Sequence, residues 1–442
     1  MNSDAKNFDD KSFASKQQVA LYLMTTIPLG STYVYNLPQA LQTQLMSPPF
    51  NLSYVEFNSF YSIYSFPNII IPVLSSYIIH IIGLRTSVII YSLLIVLGQA
   101  ILTAGVFWKS LAWMLFGRII YALGAESLTV AQSVISTKWF SSQKLTSALG
   151  WNNSIAFLGS NLNIVLSPLI YAYTELLWLP CVVGLVICLF SFSSALGYAV
   201  IDYKRDAKIA PTTDEPEKKG KYSDLKKAPK LYLLLCVYYF IHFLSFDGVT
   251  SNINDQIHRR FGLSNTVAGQ LVLAYYIQLM LFAPLIGRLT DAYGGRVYWL
   301  LTSALVSAVA QAMLAFLPDD DFGGWLVIFP LILLGFADNV FETVTWSCLL
   351  LSLDPSLTGV GFALATASVN LWGAFGMVAL GKIQDETLYA SHGYLYSQLF
   401  LGVLSMIAAS VGLLILNEDQ QTGGTLSAVQ EIDEERVKLK EH

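Results

Sequence analysis

The residues of this chain best placed to do chemistry are carboxylates at positions where a carboxylate is costly. Residues 116–140, FGRIIYALGAESLTVAQSVISTKWF, are apolar enough to cross a bilayer, yet they hold Arg118, Glu126, Gln132 and several small hydroxyls. A charged group near the middle of a membrane helix costs several kcal/mol unless it faces a partner or water. Glu126 is therefore a candidate for handling substrate or protons. Thr129 and Ser133 follow it by three and seven residues, so one stripe of the helix is polar and should line a water-filled path. Arg118 precedes Glu126 by two turns and lies roughly 80° away around the helix. A direct pair would require both side chains to lean, and the plainer alternative is a structural ion pair or a capped contact between helices.

A second acid pair, Asp338 and Glu342, is spaced by one helical turn. Like charges so close in a low dielectric compete for one proton, which offers a coupling site. The alternative is that one of them pairs with a cation such as Arg118 or His242. Asn153, Ser160, Asn163 and Ser167 form a further polar stripe on the same side as Phe157. Amides both donate and accept, so Asn153 and Asn163 are candidate ligands for a peptide backbone or a hydroxyl-rich solute. Packing of small polar residues between helices is the rival account. Trp346 and Asn370 are expected in a cavity wall, and Asp247 at an interface where it needs no partner.

The elements that must hold these residues follow from composition. Of 442 residues 54% are hydrophobic and only 12% charged, where soluble chains carry about 25% charge. This is the composition of an integral membrane protein with little soluble mass. Spans of about 20 apolar residues are expected near 17–38, 57–79, 86–107, 111–137, 145–172 and 176–201, then near 230–252, 265–288, 296–317, 325–352, 357–382 and 393–416. Residues 1–16 are polar and acidic, so the first span is expected to act as an uncleaved signal anchor. Residues 202–229 are rich in Lys, Pro and acid. They read as a solvated linker whose basic excess places it in the cytoplasm, and both termini, including the tail at 417–442, fall on that side. Two six-helix bundles, 17–201 and 230–416, result. Cys181, Cys188, Cys236 and Cys348 sit in apolar runs and read as buried hydrophobes.

The bundles repeat one another. An offset of 211 carries Gly83 to Gly294, Arg85 to Arg296, Gly124 to Gly335 and Gly150 to Gly361. Glu126 then lands one position from Asp338, giving both halves a mid-depth acid. Duplicated bundles with polar groups between them at mid-depth are the plan of an alternating-access transporter. Gly287, Asp291, Gly294 and Arg296 form an inner gate whose contacts would break and remake on switching. The first-half counterpart offers His80 and Arg85, a weaker or pH-sensitive gate.

The run Gly287, Asp291, Gly294 and Arg296, the Gly117-Arg118 pair with Gly124, and the six-plus-six layout resemble the major facilitator superfamily. Tyr35-Asn-Leu-Pro38 with Ala40 to Gln44, Tyr61 to Asn68, Gly124-Ala-Glu126, Val130-Ala-Gln132 and Lys138-Trp-Phe140 are similar to its lysosomal dipeptide uniporter branch. The resemblance implies an all-α fold of twelve transmembrane helices in two pseudo-symmetric bundles. It also implies a dipeptide substrate whose amino group is met by Glu126, a lysosomal address, and a single-span glycosylated accessory subunit; Tyr35 and Asn36 of the first-span motif are further candidate substrate-binding residues. Asn36 stands where the branch carries Asp, Phe157 where it carries Arg, and His80 where the superfamily carries Asp.

The reading is thus a lysosomal dipeptide uniporter, with proton-coupled symport of another solute, or a transport-inactive receptor, as alternatives. Lysosomal membrane is the implied address, with other endomembranes or the plasma membrane open. No nucleotide loop, metal spacing or nucleophile motif points to an enzyme or a cofactor, and no basic domain points to nucleic acid. Asn51-Leu-Ser53 is a glycosylation sequon on the outer side.

Overall fold

The computed structural model describes residues 18–139, 142–206, 228–353 and 357–428, and the regular elements among them are helices. Lipid offers the backbone no hydrogen-bond partner, so a spanning chain must satisfy itself internally. Among the described residues ten helices are long and apolar enough to cross a membrane, and eleven if the bent pair Tyr54–Asn68 and Ile71–Ile82 counts as one span. The remaining span, the first, is broken into 18–26, Leu29–Tyr35, Leu37–Ala40 and Gln42–Leu45. It runs past the expected edge at residue 38. Pro38 supplies no N–H for the carbonyl of Val34 four residues back, so the helix cannot continue through it. In the second span Pro67 and Pro72 flank a 49° bend for the same reason.

The other spans are Leu84–Phe107, Leu111–Trp139, Ser142–Thr174 and Trp178–Asp206, then Lys230–Asp255, Asn265–Tyr293, Arg296–Phe316, Ile328–Leu351, Thr358–Glu386 and Tyr394–Gln421. Gly83 and Gly294 end the second and eighth spans at φ 82° and 66°, a backbone region that glycine reaches without strain. The repeat therefore has a structural counterpart at this turn. It fails at Gly124 and Gly335: Gly124 is pressed against the third span at Tyr91 and Ile95, whereas Gly335 meets Gln278 and Tyr275 of the eighth.

Between the halves, the second span packs on the eleventh and the fifth on the eighth, with the first meeting the seventh. The first two pairings are mates under a twofold exchange of the halves. Small residues permit the approach: Gly381 lies against the Tyr54 and Val55 backbone, Gly373 against Ser65, and Gly269 against the Ile164 carbonyl.

The hydrogen bonds that join described residues of opposite halves lie at mid-depth or on the outer side. Asp385 accepts from the backbone N–H groups of Tyr54 and Val55 at 2.8 and 2.9 Å. Gln42 donates to Asn252 at 2.9 Å, Thr43 to Asp255 at 2.7 Å, and Asn58 to Gln384 at 2.9 Å. Tyr276 donates to Gln39 at 2.9 Å. These bonds tie the halves together on the outer side, and the inner-end bonds of Asp202 and Asp419 each lie within one bundle. In the first, buried Asp202 takes Arg85 at 3.1 Å, Lys138 at 2.7 Å and the Trp139 indole at 3.1 Å. In the second, the chain turns back after the twelfth span. Buried Asp419 accepts from the backbone N–H of Leu426 at 2.9 Å and the Ser427 hydroxyl at 2.7 Å, and the Gly295 N–H donates to the Ser427 carbonyl at 3.0 Å.

Candidate functional site

Glu126 sits near the middle of the fourth span, half-buried, and accepts from the Tyr64 hydroxyl at 2.8 Å. Tyr64 is held in turn by Tyr35, edge-on at 5.0 Å between ring centres, and by Tyr121 at 5.6 Å. From the other half, Asp247 accepts from the Tyr35 hydroxyl at 3.1 Å. Asp338 accepts from the Tyr275 hydroxyl, and Glu342 from the Trp346 indole at 3.3 Å. Tyr239 of the seventh span, packed edge-on to Trp346 at 5.2 Å, lies within electrostatic reach of Glu126, Asp338 and Glu342. The fold therefore gathers the acids of both halves around one mid-depth space.

Arg118 does not join them as an ion pair. Its guanidinium is fully buried and donates to the carbonyls of Val34 at 3.0 Å, Tyr35 at 2.7 Å and Phe60 at 3.3 Å. The Val34 carbonyl is the one that Pro38 leaves without a helical donor. Four rings, of Tyr35, Tyr61, Tyr64 and Tyr121, surround the cation at 4.9 to 5.7 Å. Of the two accounts that the sequence allowed, this geometry is the contact between helices.

The fifth-span stripe requires a correction. Ser160, Asn163 and Ser167 are buried, and they face the first span instead of an open path. Asn36 donates to Ser160 at 2.8 Å, Ser167 to Asn163 at 2.6 Å, and the Tyr33 and Ser167 hydroxyls lie 3.2 Å apart. Gly159 abuts the Leu29 carbonyl, so small side chains here serve close packing. Phe157 is half-buried against the apolar core. Asn370 is buried and bonds the Thr366 carbonyl of its own helix at 3.0 Å, while Trp346 is half-buried.

At the inner gates His80 is exposed, Arg85 engages Asp202, and Arg296 is buried with a contact to the Ala428 carbonyl at 3.4 Å. Gly287 faces the Thr343 methyl. The side chains of Asn153 and Asp291 lie outside the described residues. His242 is fully buried among Tyr238, Phe246 and Phe341, with its ring 3.3 Å from the Ser303 hydroxyl, and it meets neither Asp338 nor Glu342. Asn51 occupies an exposed turn at φ 51°.

Sequence reasoning missed several of these partners. Asp247, expected to need no partner, bridges the halves through Tyr35. Tyr64 lay inside the Tyr61 to Asn68 motif without a role of its own, and Tyr239 and Tyr275 carried no signal beyond a high tyrosine content. Asp255 and Asp385 did carry one, since each is an acid inside or beside an apolar span. The outer-side cations Arg259 and Arg260 are matched by Asp255 at 2.9 Å and Asp319 at 2.6 Å. Asp319 lies in a loop. Burial opposes its ionisation, but hydrogen bonds from Arg260 and Ser391, with the charges of Arg260 and His392, hold its carboxyl below the usual range.

The comparisons with known proteins agree with this architecture. The lysosomal dipeptide transporter MFSD1 of Homo sapiens is 27% identical over 432 residues, covering 95% of this chain and 90% of that protein. The Mus musculus protein of that name is 28% identical over 445 residues, covering 97% and 92%. Among solved structures, the POT family transporter PepTSo superposes with a TM-score of 0.71 at 12% identity, covering 91% of this chain and 98% of that one. The nucleoside transporter NupG gives 0.69 at 13% identity, covering 90% and 99%. These likenesses show the fold. The sequence profile of the Major Facilitator Superfamily matches residues 21–252 and 235–441. With its helical spans, paired bundles and mid-depth site, the chain is an integral membrane transporter and belongs to the major facilitator superfamily.

Proposed function

We propose that this protein exports dipeptides from the lysosome to the cytosol as a uniporter. The reading draws its substrate and its compartment from the MFSD1 relatives. Glu126 carries it: a half-buried carboxylate at mid-depth, oriented by Tyr64 and set between the halves. In this scheme Glu126 holds the ammonium end of a dipeptide, and the two bundles rock about it. The bonds that tie the halves on the outer side correspond to the release stage of such a cycle. An accessory subunit at the outer face belongs to the same reading.

Counterflow in proteoliposomes, with a mixed dipeptide pool against free amino acids and sugars, tests it. Selective dipeptide exchange without a proton gradient is expected, and Glu126→Ala should lower it at least tenfold. Unchanged exchange in that variant refutes the role of Glu126. One arrangement favours a second reading: Asp338 and Glu342, one turn apart with only neutral donors on them, could carry a proton with the solute. Substrate-driven acidification of the receiving side would select proton symport.

A further inference from the structure

The charges around the mid-depth space do not balance. Glu126, Asp247, Asp338 and Glu342 each receive one neutral donor, from Tyr64, Tyr35, Tyr275 and Trp346 respectively. The second oxygen of each has no protein donor among the described residues. Arg118 and His242 are the only basic residues near the middle of the described spans. Arg118 is committed to three carbonyls and four rings, and His242 is enclosed inside the second bundle. In low dielectric an unmatched carboxylate calls for a proton or a cation, whereas a bound carboxylate would need an uncommitted cation that this layer lacks.

We propose that the site recognises its solute by the ammonium group alone, so that small organic amines without a carboxylate, such as C-terminally amidated dipeptides and aliphatic diamines, are substrates. Glu126 and Asp247 flank the first half's tyrosines and would take one cationic end; Asp338 and Glu342 would take a second. This rests on the reading above that the space between the halves is the substrate site. It departs from that reading in making the C-terminal carboxylate dispensable.

The test is counterflow by the purified full-length protein, loaded with lysyl-alanine and challenged with lysyl-alanine, lysyl-alanine amide, N-acetyl-alanyl-alanine and 1,4-diaminobutane. The amide is expected to exchange within about threefold of the free acid, the diamine to exchange measurably, and the blocked peptide to fall at least tenfold. Free-acid exchange with a tenfold or greater loss for the amide overturns the inference while leaving dipeptide transport standing. Absence of exchange for all amines, with flux of another solute, overturns both. Asp247→Asn adds a second readout. Affinity for the diamine and for lysyl-alanine amide should both fall at least several-fold, in step with the free dipeptide, and unchanged affinity for both amines would contradict the inference.

Discussion

Replacing Asp385 with Ala should open the outer side. Its carboxylate spans the halves, accepting from the first two backbone N–H groups of the second span at 2.8 and 2.9 Å. Those groups are orphan donors at a helix N-terminus, where the macrodipole also favours an anion. A hydrogen bond to a charged acceptor contributes about 1.5–3 kcal/mol. Water satisfies the same donors once the halves part, so the net cost to the sealed state is about 2–4 kcal/mol for the pair. At about 1.4 kcal/mol per decade this moves the equilibrium between sealed and open forms roughly thirty- to a thousandfold. Asp385→Asn keeps one acceptor and should give about half the free-energy shift. Spin labels at Asn51 and Leu388, both exposed on the outer side but in opposite halves, would report the change by double electron–electron resonance. A longer-distance population should grow in Asp385→Ala and grow less in Asp385→Asn. If a folded Asp385→Ala protein gives the wild-type distribution, and a cysteine at Thr129, exposed on the fourth span, labels at the wild-type rate, the seal does not depend on this contact.

Arg118→Lys keeps the charge but loses the planar fork that reaches three carbonyls. It should cost about 2–4 kcal/mol of stability, seen as a lower melting temperature in detergent; an unshifted melt would mean that the break in the first span needs no such staple. The Arg260 to Asp319 pair has a pH signature. The Asp319 carboxyl is held below its unfolded value, so its contribution is present above the ordinary carboxylate pKa of about 3.9 and is lost as pH falls through the lower folded value. Asp319→Asn should therefore destabilise at neutral pH and at mildly acidic pH, with the gap to wild type closing only in strong acid; a gap that closes near pH 6 would contradict this. Truncation after Thr422 removes the buried Leu426 and the partners of Asp419, and should raise labelling of a cysteine placed at Gly295. Equal labelling would show that the returning tail does not cover the inner turn between the eighth and ninth spans.

Much of this molecule could be read along the chain. Hydrophobic length and sparse charge are local quantities, and lipid leaves helices as the simple solution, so membrane class, helical fold and approximate spans followed from composition and window arithmetic. The depth of Glu126, Asp338 and Glu342 followed too, because rise per residue converts position into depth. The turn at Gly83 and Gly294 was visible through the 211 offset, whereas Gly124 and Gly335 shared that offset and still packed on different neighbours. Contacts across spans had no such local record. Pro38 announces a break, but only the folded bundle brings Arg118 to the carbonyl that the break exposes. The stripe of Ser160, Asn163 and Ser167 has the same periodicity whether it faces water or another helix, and packing against the first span decided between them. Asp247 and Asp385 read as acids near span ends until the tertiary structure set one against Tyr35 and the other against the start of the second span. A residue's type and depth are set by its own chain, but its partner is set by which helix face the opposite half presents, and that is a property of the whole packed bundle.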